Sequence, residues 1–160
     1  MQKFSNFKVE KFKMIKEDAE TPIDMAIPTE AAIVKSEPAK FVSKMFESRE
    51  MAHIYHLQVK GEGSYAAHKA LDEFYNGILD LIDEFIETYQ GQYDIIENYD
   101  IIDSNQTHNI DRIQYFIDLV GFIKATRNVA FLPEDTHLQN IIDEMVGLIY
   151  RTLYKLKNLK

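Results

Sequence analysis

The chain has no cysteine and no tryptophan, and only six glycines and four prolines among its 160 residues. Without thiols there can be no disulfide, thiolate metal site, iron–sulfur cluster or cysteine nucleophile, so any metal centre must use nitrogen and oxygen donors. Few glycines and prolines leave little material for the frequent tight turns of a sandwich or barrel. No stretch of about 18 consecutive apolar residues would span a membrane, and the N-terminus lacks an apolar run of signal-peptide length. We therefore expect a cytoplasmic chain with no membrane partner. A net charge of -8 argues against bulk attraction to nucleic acid. There is no glycine-rich phosphate loop, and no serine is paired in sequence with a convincing base.

What remains is 46% hydrophobic and rich in helix formers. At this length it suits one all-α domain with its own core. Residues 1–37 read as an N-terminal arm. Lys3, Lys8, Lys11, Lys13 and Lys16 make its start basic, interleaved with Phe4, Phe7, Phe12 and Ile15. From Glu17 onward it turns acidic, with Pro22, Pro28 and Pro38 as breakers. Such a leader is either a poorly ordered terminus or an arm that docks on a partner chain, a shell or nucleic acid. After Pro38 the apolar recurrence of Phe41, Val42, Met45, Ala52, Tyr55 and Val59 predicts a helix ending near Lys60. A second runs from Tyr65 to about Tyr89, with Ser64 as its N-cap, a stripe through Ala67, Leu71, Phe74, Ile78, Leu81, Ile82 and Phe85, and Gly91 as its end. Residues 92–107 read as an irregular connection. Two further helices follow, Asn109 to about Arg127 and Asp135 to about Asn158, the latter with Asp135 as N-cap. Four helices over residues 38–160, joined mostly by short loops, predict a bundle.

Five residues on the first two helices could ligate a metal: His56, His68, Asp72, Asp83 and Glu87. Two imidazoles and three carboxylates suit iron, manganese or zinc. With His68 at zero on a helical wheel, Asp72 falls at about 40°, Asp83 at about 60° and Glu87 at about 100°, all on one face. Asn76 and Asp80 continue the polar ribbon. Fifteen residues of helix nevertheless separate His68 from Asp83 by about 22 Å, too far for one ion. Either the sets are separate or two chains cooperate, the histidine end of one helix meeting the carboxylate end of its antiparallel copy.

The stretch from His56 to Glu87, HLQVKGEGSYAAHKALDEFYNGILDLIDEFIE, resembles the Dps family of miniferritins. That family has an H-x-x-V-x-G run, a second histidine 12 residues after the first in an A-x-H-x-x-x-D context, and a later D-E-x-x-E. Here these are His56, Val59, Gly61, His68, Asp72, Asp83, Glu84 and Glu87. The resemblance implies a ferritin-like four-helix bundle with catalytic iron sites at two-fold interfaces. His56, His68 and Asp72 would come from one chain, Asp83 and Glu87 from the other, holding one or two irons or another divalent metal. It further implies a homo-oligomer, a twelve-subunit cage in the family, that oxidises Fe(II) preferentially with hydrogen peroxide and stores ferric iron. Glu87 is the best bridging candidate. The sequence departs from the family at Leu57, where an aromatic residue is usual, and in its long arm.

Three other histidines carry weaker readings: His53 as an outer ligand or solvent-facing residue, His108 and His137 as surface residues. Basic residues at both ends, among them Arg151, Lys155, Lys157 and Lys160, could meet DNA phosphates in an oligomer. The acidic total and the phenylalanines of the arm favour protein contact instead. The alternative function is a structural or interaction protein, such as a virion shell component, docking through residues 1–37.

Overall fold

A computed structural model describes residues 30–100 and 111–159. It contains four helices, α1 (Glu30–Gln58), α2 (Ser64–Gln92), α3 (Arg112–Ala130) and α4 (Thr136–Asn158), and no strand among the described residues. The protein is all-α.

Periodicity selects the buried faces. On α2 the residues Ala67, Ala70, Leu71, Phe74, Ile78, Ile82 and Phe85 are buried, three or four apart. On α4 the corresponding stripe includes Leu138, Ile142, Met145, Ile149 and Leu153. The side chains of Phe41, Phe74, Phe85 and Phe116 are fully buried, and Phe74 meets Phe116 edge-on at 4.8 Å between centroids. Such pairs contribute beyond their area burial, because the edge of one ring faces the negative face of the other.

Helix ends depart from the sequence reading at several points. α1 starts at Glu30 and takes in the last eight residues of the stretch read as an arm, continuing through Pro38. Pro38 cannot donate a backbone hydrogen bond. It is buried, and it lines a cleft together with Tyr89 and Ile96. α2 runs past Gly91 to Gln92, and its N-cap is Gly63 rather than Ser64. α3 starts at Arg112 because the Asp111 carboxylate accepts from the amides of Ile113 (2.8 Å) and Gln114 (3.2 Å). Asp135 does precede α4, but its carboxylate makes no cap bond and turns elsewhere.

Ring contacts fix the directions. Phe41, in the first half of α1, packs on Phe122 midway along α3 and on Phe131 just past its end, while Tyr55 meets Tyr115 near its start. These helices are antiparallel. Gln92 bonds Asp135 just before α4, and Lys155 near the end of α4 pairs with Glu73 near the start of α2. These too are antiparallel. Short turns reverse the chain between α1 and α2 and between α3 and α4. It follows that α2 and α3 run the same way, so the connection between them must return the length of the bundle, about 28 Å for a 19-residue helix. Its described beginning climbs along α1: Ile96 is buried, and the Asp100 amide donates to Ser43 Oγ at 2.9 Å. α1 and α4 occupy diagonal corners, each packing on α2 and α3. The arm up to residue 29 and His108 lie outside the described residues.

Candidate metal centre

The turn between α1 and α2 is the origin of the site. Gly61 and Gly63 have φ of 86° and 72°, the left-handed region in which a side chain is strained, and they reverse the chain within a few residues. The reversal sets the last turn of α1 beside the first turns of α2. Helix ends leave carbonyls without intrahelical partners, and that of His56 is one. His68 Nδ1 donates to it at 3.2 Å, and His56 Nδ1 donates to the carbonyl of His68 at 3.0 Å. The imidazoles stack with centroids 3.6 Å apart.

This reciprocal bonding has a chemical consequence. A carbonyl only accepts, so each ring carries a proton on Nδ1, and in the neutral ring the lone pair resides on Nε2. Neither Nε2 has a partner among the described residues. A ligating histidine commonly has this form, one nitrogen anchored to the backbone and the other left for a cation.

Asp72 lies one turn along α2. Its Oδ1 accepts from the Tyr75 hydroxyl (2.8 Å) and Asn76 Nδ2 (3.3 Å), and its Oδ2 only from the exposed Lys69 (3.3 Å). The Tyr75 hydrogen bond, then that from Lys69, holds the Asp72 carboxyl below the ordinary carboxylate range; the proximity of His56 acts in the same direction. The same bond raises the Tyr75 phenol. Tyr75 is an orienting group that the sequence reading missed, although its i,i+3 spacing from Asp72 was a visible signal. His53, half-buried, stacks on Tyr75 at 4.6 Å rather than facing solvent alone, and its ring is 6.0 Å from His56.

The structure thus brings His56 and His68 into contact, with Asp72 nearby. Asp83 and Glu87 are exposed, further down the same helix, and do not reach the histidines within one chain. Among the described residues of the single chain, no three histidines or carboxylates converge on a point. The exposed polar ribbon of Asn76, Asp80, Asp83 and Glu87 is present as read. Imidazole nitrogen and carboxylate oxygen are donor types that divalent iron and zinc accept. His137 is exposed and donates to Gln92 Oε1 at 2.6 Å, away from this region.

The chain belongs to a family of unknown function, DUF5856, whose profile matches residues 56–156. That span opens at His56 and includes all five candidate ligands. Among its relatives is an uncharacterized 14.6 kDa protein encoded in the mobD-ri intergenic region of Enterobacteria phage T4. The two are 27% identical over 123 residues, covering 76% of this chain and 88% of the phage protein. No solved structure matches. No helix among the described residues is long and apolar enough to cross a membrane.

Proposed function

We propose that this protein is a Dps-like miniferritin that oxidises Fe(II), preferentially with hydrogen peroxide, at sites shared between two copies. The observation that carries the reading is the pair His56 and His68, each anchored through Nδ1 with Nε2 left to ligate. Bundle topology supports it as well, since parallel α2 and α3 joined by one long crossover is the connectivity of ferritin-like folds. His56, His68 and Asp72 of one chain would bind Fe(II), and Asp83 and Glu87 of the copy would complete the shell, with Glu87 bridging. Two Fe(II) each give one electron, hydrogen peroxide takes both with two protons, and the products are two Fe(III) and two waters. The anchored imidazoles orient the metal, Tyr75 fixes Asp72, and the carboxylates balance the growing positive charge. Iron is the substrate and cargo.

The test is Fe(II) oxidation on addition of hydrogen peroxide, for the parent and a His56→Ala/His68→Ala variant. Rapid oxidation by the parent alone supports the reading; equal background rates in both would overturn it. A second reading draws on the phage relative: a structural or interaction protein, such as a virion component, that uses the bundle as a scaffold and docks through residues 1–37. It expects truncation of those residues to abolish partner assembly, with the metal ligands dispensable.

A further inference from the structure

On the face remote from the histidines, α3 and α4 leave an open groove of about 480 Å³. Val120 and Leu153 form its floor, while Ile117, Tyr150 and Tyr154 along it are exposed. Lys124 and Lys157 line it too. Lys124 donates to the Tyr150 hydroxyl at 3.4 Å, and neither lysine has a carboxylate partner among the described residues. Two unpaired cations beside an apolar floor, on a chain of net charge -8, call for an occupant that is both acidic and apolar.

We propose that the groove is the docking site for the segment Met14–Glu20 of the same chain, with Glu17, Asp18 and Glu20 facing the lysines and Met14 and Ile15 covering the floor. Chain length sets the near limit of this segment and charge sets the rest, since Glu10 is the only other acidic residue before it. Glu30 precedes Phe41 by eleven residues of helix, which puts it about 16 Å beyond the level where Phe41 packs on Phe122 and Phe131. Rounding α3 adds roughly one helix spacing of about 10 Å, so some 25–30 Å separate Glu30 from the Lys124 end of the groove. Extended chain covers that in about eight or nine residues. Asp24, six residues before Glu30, falls short; Glu20, ten before it, reaches. The proposal is independent of the metal reading.

The lack of native cysteine makes the test clean. Ala19→Cys is combined with Gly121→Cys in the groove, where a side chain meets open space, or with the control Glu84→Cys at an exposed position of α2. Mild oxidation of the full chain should close an intrachain disulfide several-fold faster for the groove pair than for the control. Adding Lys124→Glu and Lys157→Glu should remove that advantage, with circular dichroism reporting that the helices persist. Equal rates for both pairs, insensitivity to the charge reversal, or a product of dimer mass would each overturn the assignment.

Discussion

Tyr75 shows how one hydroxyl can orient a neighbouring carboxylate. By bonding Asp72 Oδ1 it fixes the carboxylate and leaves Oδ2 held only by an exposed lysine. Tyr75→Phe should lower affinity for Fe(II), or Zn(II) as a redox-silent probe, by about tenfold, as loss of an orienting group typically does. Calorimetric titration reads the affinity, and unchanged affinity would remove Tyr75 from the site. The same variant should raise the Asp72 pKa towards its ordinary value, followed by carboxyl-carbon NMR. A carboxyl depressed in the folded state stabilises the fold above its ordinary pKa of 3.8 and loses that contribution as pH falls through its folded value. Tyr75→Phe should therefore unfold at a slightly higher pH during acid titration than the parent.

Helix ends are held by a few specific hydrogen bonds. Asp111 caps α3 through two amide hydrogen bonds, so Asp111→Ala should cost about 1 kcal/mol in urea unfolding. At the α1–α2 turn a Cβ on Gly61 would meet nothing within 4 Å, so the cost of Gly61→Ala is one of backbone conformation alone, about 1–2 kcal/mol at φ 86°. That variant should also disturb the histidine stack, because the turn sets its register. Across the opposite end, Asp135 accepts from Gln92 (2.8 Å) and Tyr93 (2.5 Å) and so ties the exit of α2 to the entry of α4. The hydrogen bond to Asp135 pushes the Tyr93 phenol up to about 12. A raised phenol contributes stability that is complete below the ordinary value of 10 and is lost as pH rises through about 12. Ultraviolet phenolate titration should show this late tyrosine, and Asp135→Asn should bring it earlier.

For the whole molecule, the core and the assembly make separate demands. Phe74 is fully buried against Phe116, and Phe74→Ala should cost about 3–5 kcal/mol, seen as a lowered urea midpoint. The proposed shared site makes a sharper demand, because neither histidines nor distal carboxylates suffice alone. A His56→Ala/His68→Ala chain and an Asp83→Ala/Glu87→Ala chain should each be inactive as Fe(II) oxidases. Refolded together they should form mixed dimers in which one of the two proposed sites regains a full ligand set. Recovered oxidation on mixing supports the intersubunit arrangement, and none at all would argue against it.

The sequence by itself determined the helical class, the buried faces of α1 and α2, and the common face of His68, Asp72, Asp83 and Glu87, because these follow from a fixed rotation per residue. It could also exclude a one-chain site spanning His68 and Asp83, since rise per residue is as constant as rotation. Helix ends were less legible. Pro38 and Gly91, residues that usually break helices, lie inside α1 and α2, and whether Asp135 caps α4 depends on Tyr93 and Gln92, which arrive from 42 and 43 residues away. Only the tertiary structure decided that His56 and His68 lock each other through backbone carbonyls, that Tyr75 holds Asp72, and that α2 and α3 run parallel. Those facts depend on the reversal at Gly61 and Gly63 and on the return of the chain along α1, where residues distant in sequence meet.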